Sequence, residues 1–313
     1  QCYLALRQYK VNRMWNFLKG MAMGAADIVP GVSGGTIALV TGIYERLICA
    51  IKNVGVDTVK SLFNNGLKST WQKMDGPFLL ALFAGMLTSI VLFAQVLHFA
   101  IEHYPMFIWP CFFGLVLASV LYVGRQVGEW NWQRILLLLV GASVAAMISL
   151  SSATQIEVSP LTLFLSGALA ICAMILPGIS GSFILLLLGM YSVVITAVKS
   201  FDFYTLIIFG GGCVAGLMLF SRFLSWLLAS FHCATMALLT GFMLGALIKL
   251  WPWKEVMQTR INSKGATVPW IEFPISPFAH NDPQILLVLF SALFGFALVI
   301  ILEIGFSRSD KAS

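Results

Sequence analysis

Charge is what this chain has least of. Nineteen Lys/Arg and thirteen Asp/Glu make up only 10% of 313 residues, while hydrophobic residues make up 59% and the mean hydropathy is +0.91. A soluble domain carries about a quarter charged residues, so a freely soluble fold is excluded and a polytopic membrane protein is indicated. Histidine and cysteine are sparse too. The histidines are His98, His103, His232 and His280, and none sits in a recognisable catalytic motif. Cys2, Cys49, Cys111, Cys172, Cys213 and Cys233 are scattered, with no Cys-x-x-Cys pair and no Cys/His metal spacing. Neither a disulfide framework nor a metal site is expected, and no cofactor is implied. The net charge of +6 reports membrane orientation in such a chain before it reports any nucleic-acid partner.

What the chain does contain is one short stretch that occurs twice. Pro30-Gly31-Val32-Ser33-Gly34-Gly35 leads to Gly42-Ile43-Tyr44, and Pro177-Gly178-Ile179-Ser180-Gly181-Ser182 leads to Gly189-Met190-Tyr191, each position 147 residues after its partner. Gly20 and Gly167, and Lys52 and Lys199, match at the same offset. Each copy interrupts an apolar run. Proline ends a helix, glycine tolerates the turn, and serine caps the next helix. The pattern predicts helix, sharp break, helix, twice over. Residues 15–29 would run only about 22 Å as a helix, too short to span. Each broken pair therefore reads as a re-entrant hairpin, which survives at membrane depth only when buried in protein or lining a cavity.

Between the hairpins, apolar spans are expected at about 77–101, 105–124 and 133–151, and after the second hairpin (160–176 and 180–198) at about 204–230, 233–251 and 283–306. Here Gly85 matches Gly212, Phe93 matches Phe220 and Gly114 matches Gly241, now 127 residues apart. The difference of 20 is the stretch 45–76, where Leu47, Ile51, Val59, Leu62 and Trp71 alternate with Lys52, Lys60, Lys68 and Lys73. It reads as an amphipathic helix on the cytoplasmic membrane surface. Residues 1–151 then form a first repeat, and residues 152–313 a second with an outer loop at about 252–282. One hairpin and three spans give an odd number of crossings per half, so the halves are inverted; only a single broken span per half would make them parallel. The expected fold is an all-α polytopic membrane protein of two inverted repeats, the plan of secondary transporters. Arg7, Lys10 and Arg13, which read as a basic flank and not a signal peptide, place both termini in the cytoplasm.

A helix that begins inside a membrane presents free N–H groups and a partial positive charge. Ser33, Gly34, Gly35 and Thr36, with Ser180, Gly181 and Ser182, therefore describe an anion cradle; the plainer alternative is that these small residues only permit close packing. Ionisable residues in apolar segments are expensive and usually functional. Arg222, opposite Gln95 in the first half, is the candidate clamp for a phosphate or carboxylate, because guanidinium binds both in a fork. Asp27 is the candidate proton carrier or the partner that orients Arg222. A structural ion pair is the alternative for both. Glu45 and Arg46 follow as further coupling and binding candidates near an interface, while Glu303 and His232 read as interfacial. Gly31-Val32-Ser33-Gly34-Gly35 formally matches the G-x-S-x-G of serine hydrolases, but a nucleophile needs a base within reach, and a duplicated serine suits a symmetric cradle. No enzymatic activity is expected.

Gly24-Ala25-Ala26-Asp27-Ile28-Val29-Pro30-Gly31-Val32-Ser33-Gly34-Gly35-Thr36, with Gly42-Ile43-Tyr44-Glu45-Arg46 and Leu176-Pro177-Gly178-Ile179-Ser180-Gly181-Ser182, resembles the PopT-type polyprenyl-phosphate transporters over nearly the whole chain. The resemblance implies a multi-pass protein of the bacterial cytoplasmic membrane that returns undecaprenyl phosphate from the outer to the cytoplasmic leaflet for envelope glycan synthesis. Its partner is then the lipid phosphate, in a membrane, with proton or cation coupling and homo-oligomeric assembly both compatible with the sequence. The alternative from another class is a channel or transporter for a small inorganic anion.

Overall fold

Prolines in the first helical turn, capping side chains and long apolar runs set the helices of this protein. The computed structural model describes residues 13–29, 32–54, 56–151, 156–261, 267–280 and 282–312. Its helices are α1 (Arg13–Ile28), α2 (Gly34–Val40), α3 (Tyr44–Lys52), α4 (Val56–Lys73), α5 (Gly76–His103), α6 (Pro105–Gln126), α7 (Trp132–Leu150), α8 (Pro160–Ile175), α9 (Gly181–Leu187), α10 (Tyr191–Ser200), α11 (Phe203–Ser230), α12 (His232–Leu250) and α13 (Ile285–Ala312). Pro105 and Pro160 open α6 and α8, where a missing N–H costs nothing. Asn131 caps α7 by accepting from Arg134 N–H at 3.0 Å, and Ser159 and Thr162 form a capping box on α8. Asp202 caps α11, and the Thr205 hydroxyl and N–H that donate to it hold its carboxyl below the usual carboxylate range.

Among the described residues, six helices are long and apolar enough to cross a membrane: α5, α6, α7, α11, α12 and the Ile285–Ile304 part of α13. The two motif regions appear as bent pairs, α2 with α3 at 117° and α9 with α10 at 107°. In α12, 61% of the apolar window is buried, against 11–39% in the other five. It is the central strut of the bundle. The core around it gathers Val29, Val32, Ile43, Phe78, Val116 and Met243.

Glycines set how closely the spans approach. A Cβ on Gly20 would meet Leu82 O at 2.2 Å, and one on Gly85 would meet Phe17 O at 2.1 Å, so α1 and α5 touch backbone to backbone. The same reciprocal contact joins α8 to α11 through Gly167 and Gly212, α6 to α13 through Gly114 and Gly295, and α7 to α12 through Gly141 and Gly241. Between lipid-facing helices there is no hydrophobic drive to associate, so contact depends on dispersion and on carbonyls meeting Cα–H groups. Bare glycine faces supply both. Gly24 then meets Met86, Gly216 meets Ala168, and Gly245 meets Ala142, each about one turn beyond the first contact of its pair, so these helix pairs run parallel.

Three expectations need correction. Residues 45–76 are not one surface helix: 44–52 are the second arm of the first bent pair, and α4 is itself broken at Gly66 (φ 76°), because glycine there adopts a conformation no helix contains. The stretch 252–282 is not an irregular loop. It holds an antiparallel hairpin of β1 (Lys254–Ile261) and β2 (Thr267–Pro274), so the fold is nearly but not wholly helical. Trp251 and Trp253 pin its base by donating from Nε1 to Ile275 O and Pro283 O, both at 2.9 Å, and Lys254 lies 3.6 Å over the Trp109 ring. Finally, Cys49 is disulfide-bonded while Cys111, Cys172, Cys213 and Cys233 are free; scattered spacing gives no sign of a bridge that only tertiary proximity makes.

A methyl group tests the glycine contacts. Gly212→Ala places a Cβ 1.9 Å from Phe164 O, whereas Gly210→Ala meets nothing within 4 Å. The first is expected to lower the melting temperature in detergent by at least about 3 °C and the second to leave it unchanged; equal melting curves would show the contact to be immaterial.

Candidate functional site

The two motifs meet each other in the core. Ser33 caps α2: its Oγ accepts from Gly35 N–H at 3.1 Å and donates across the chain to Leu176 O at 3.2 Å, with Met174 O at 3.4 Å. Thr36 Oγ1 accepts from Gly178 N–H at 3.2 Å, and Tyr44 OH donates to Ile175 O at 3.2 Å. The carbonyls left over where α8 stops, and the first N–H of the second break, thus find partners in the first motif. Ser33, Thr36 and Tyr44 are buried to within 2% of full enclosure. An unmet polar group in such a place costs about 1–3 kcal/mol, so this interlock is a structural necessity as well as a candidate site.

Asp27 completes the first tip. It is the penultimate residue of α1, and its Oδ1 accepts from Gly34 N–H at 2.6 Å. A carboxylate therefore already occupies the start of α2. A Cβ on Gly34 would sit 2.7 Å from that carboxylate, and one on Gly35 2.7 Å from Ile175 O, so both positions admit only glycine without movement. The second tip differs. The residue 147 positions after Asp27 is Met174, so no carboxylate stands there. Ser180 makes no cap to its helix and instead shares a hydrogen bond with Ser182 at 2.9 Å. Gly178 takes φ 83°, a turn that favours glycine, and a Cβ there would come 2.9 Å from Phe242 O of α12. Gly181 packs on Ala170 O.

The remaining sequence candidates lie apart from this interlock. Arg46 is buried in a fork on Asp75, Nε to Oδ2 at 2.6 Å and Nη2 to Oδ1 at 3.1 Å, with its guanidinium 4.2 Å over Phe78. That ties α3 to the start of α5. Glu45 pairs with His232 Nε2 at 2.8 Å on an exposed face, joining α3 to α12. Arg222 is half-buried and turns back on its own helix, donating to Met218 O at 3.0 Å; no hydrogen bond or ion pair joins it to Asp27, Ser33 or Ser180. Gln95 is exposed. The sequence reading passed over Lys249, which lines the cavity beside Ser180. Its place one residue from the end of a span looked interfacial, and only the packing of α7 and α12 turns it inward.

Thr36→Val keeps the side-chain shape and removes the acceptor for Gly178 N–H. It is expected to cost about 1–3 kcal/mol and to lower the melting temperature of the purified protein. Asp27→Asn retains an oxygen acceptor for Gly34 and is expected to melt close to wild type, whereas Asp27→Leu is expected to melt well below it.

Residues 23–268 match the VCA0040-like family, described as undecaprenyl phosphate translocase-like. A Vibrio cholerae serotype O1 protein named polyprenyl-phosphate transporter is 46% identical over 298 residues, covering 94% of this chain and 97% of that protein. A Staphylococcus aureus protein of the same name is 30% identical over 255 residues, covering 76% of this chain and 86% of its own length. No solved structure matches the chain. A multi-pass architecture with two bent helix pairs, and similarity along almost its whole length, make this chain a member of the undecaprenyl phosphate translocase-like family.

Proposed function

We propose that the chain is a flippase that moves undecaprenyl phosphate from the outer to the cytoplasmic leaflet of the bacterial inner membrane, handling the phosphate at the two hairpin tips. The observation that carries this reading is the interlock of the tips in the core of a protein whose named relatives are polyprenyl-phosphate transporters. The residues assigned to the head group are Ser33, Gly34, Gly35 and Thr36 on one side and Ser180, Gly181 and Ser182 on the other. Arg222 and Arg46 reach it only by leaving Met218 O and Asp75. No catalytic step is required.

Inverted repeats over 1–151 and 152–313 support alternating access. Links of one residue (Tyr104, Phe231) and five (127–131) join α5 to α6, α11 to α12 and α6 to α7, and helices so joined reverse direction. Because α7 and α12 run parallel, α5 and its counterpart α11 run oppositely. The partners also exchange: α6 packs on α13 while α12, the counterpart of α6, packs on α7. That is the pattern a two-fold axis in the membrane plane would produce. Basic residues at 1–19, in α4 and at Arg125 and Arg134 assign one end of the bundle, with both termini, to the cytoplasm.

Asp27 supplies the coupling. Its carboxylate and a phosphate compete for the start of α2, so a proton on Asp27 removes the repulsion and frees Gly34 N–H. Glu45 is assigned a lesser role through its pair with His232.

Purified protein in liposomes should flip a labelled polyprenyl phosphate. Asp27→Asn should slow that turnover about tenfold or more while leaving lipid binding at least as tight, since the repulsion is gone; unaltered turnover removes Asp27 from coupling, and flux of inorganic anions without lipid flipping would replace the flippase reading. In cells, cysteines placed at the exposed Gln72 and Glu157 should be labelled from opposite sides, and labelling from the same side would refute the inverted arrangement.

A further inference from the structure

Two narrow cavities adjoin at the end of the bundle that carries the β-hairpin. One is lined by Gly178, Ser180, Phe183, Ser149 and Lys249; the other by Ser149, Lys249, Lys254 and Pro274. They share Ser149 and Lys249, which link the base of the hairpin to the second tip. We propose that Lys249, with the Ser180 hydroxyl on the same cavity and Lys254 on the adjoining one, takes a phosphomonoester dianion at this end of the bundle. This rests on the transport reading and adds to it the residue that reads the head group.

The charge asymmetry between the tips is the reason. The first tip holds Asp27, whose counterpart is Met174 (27 + 147), while the second holds Lys249, whose counterpart is Tyr122 (249 − 127). One duplicated scaffold thus carries an anion at one tip and a cation at the other. An anionic head group is repelled from the first until Asp27 is neutral, and attracted to the second at once. Lys249 could have snorkelled to the interface, as lysines at span ends commonly do. Instead it borders both cavities and lies 5.2 Å from the Phe183 ring, where a phosphate would gain charge-assisted ammonium hydrogen bonds. Each cavity has room for about one water. A phosphate is larger, so its entry displaces the Phe183 ring from Lys249 and widens the gap between α7 and α9. Lysine suits such a site because it acts as a point charge on a flexible stem and can follow the head group as it moves inward.

The experiment compares wild type, Lys249→Gln, Lys249→Arg and Lys254→Gln as purified full-length protein in detergent. Each is titrated with polyprenyl phosphate, with polyprenol and with inorganic phosphate, and thermal melting is recorded as a check on folding. Lys249→Gln is expected to weaken polyprenyl phosphate binding about tenfold or more and to leave polyprenol binding unchanged. Lys249→Arg should stay within about threefold of wild type, since the charge is kept. Lys254→Gln should have a smaller effect in the same direction. Inorganic phosphate that competes in wild type and not in Lys249→Gln supports recognition of the head group alone; competition by polyprenol alone assigns the site to the tail and overturns the proposal. A wild-type preference for the phosphate over the alcohol that survives intact in Lys249→Gln overturns this site and leaves the transport reading standing. Equal wild-type binding of alcohol and phosphate overturns the transport reading itself.

Discussion

A helix broken in a membrane must find partners for the backbone groups the break exposes, and water is not there to supply them. In this chain the two breaks serve each other. Leu176 O receives the Ser33 hydroxyl, Ile175 O receives the Tyr44 hydroxyl, and Gly178 N–H finds Thr36. Neither break is satisfied alone, so the halves cannot separate at this point without stranding several buried polar groups. The close helix pairs around it follow from the same need. Bare glycine faces let α1 and α5, and α8 and α11, approach until carbonyl meets backbone, and that tight collar holds the tips in register.

A shared interlock does not make the tips equal. The first has its own anion, Asp27, on the start of α2; the second has paired serine hydroxyls, with Lys249 on the same cavity. Duplication supplies two copies of a demanding backbone arrangement, and the side chains around them have diverged, Asp27 at the first tip standing where the second has Met174. On the proposed transport reading, opposite charges at the two tips would treat an arriving dianion differently, which is the differential interaction that any ligand-driven shift between states requires.

Polar pairs elsewhere tie the scaffold together. Arg46 on Asp75 under Phe78 anchors the second arm of the first hairpin to α5, and Glu45 with His232 anchors the same arm to α12. A buried, forked guanidinium is costly to unpair. Arg46 is therefore better suited to fixing the hairpin than to following a moving ligand.

The sequence alone determined the spans, both breaks and the small residues at them, because hydropathy runs, Pro-Gly punctuation and serine caps are local signals that lipid makes compulsory. It also determined which glycines matter: the 147- and 127-residue offsets had already singled out Gly20, Gly85, Gly114 and their counterparts, and these became helix contacts. What only the tertiary structure decided is which side chain faces which. By sequence Asp27 is a candidate either to carry a proton or to orient Arg222; in the structure it meets Gly34, seven residues on, while Arg222 turns back to Met218. The hairpin at Lys254–Pro274 lay hidden in a stretch with no clean alternation, and Lys249 looked like any lysine near a span end until α7 and α9 closed around it. Periodicity fixes the face of a helix to within a turn. The partner across a gap of a few ångströms depends on how two helices cross, and that angle is written in no single segment.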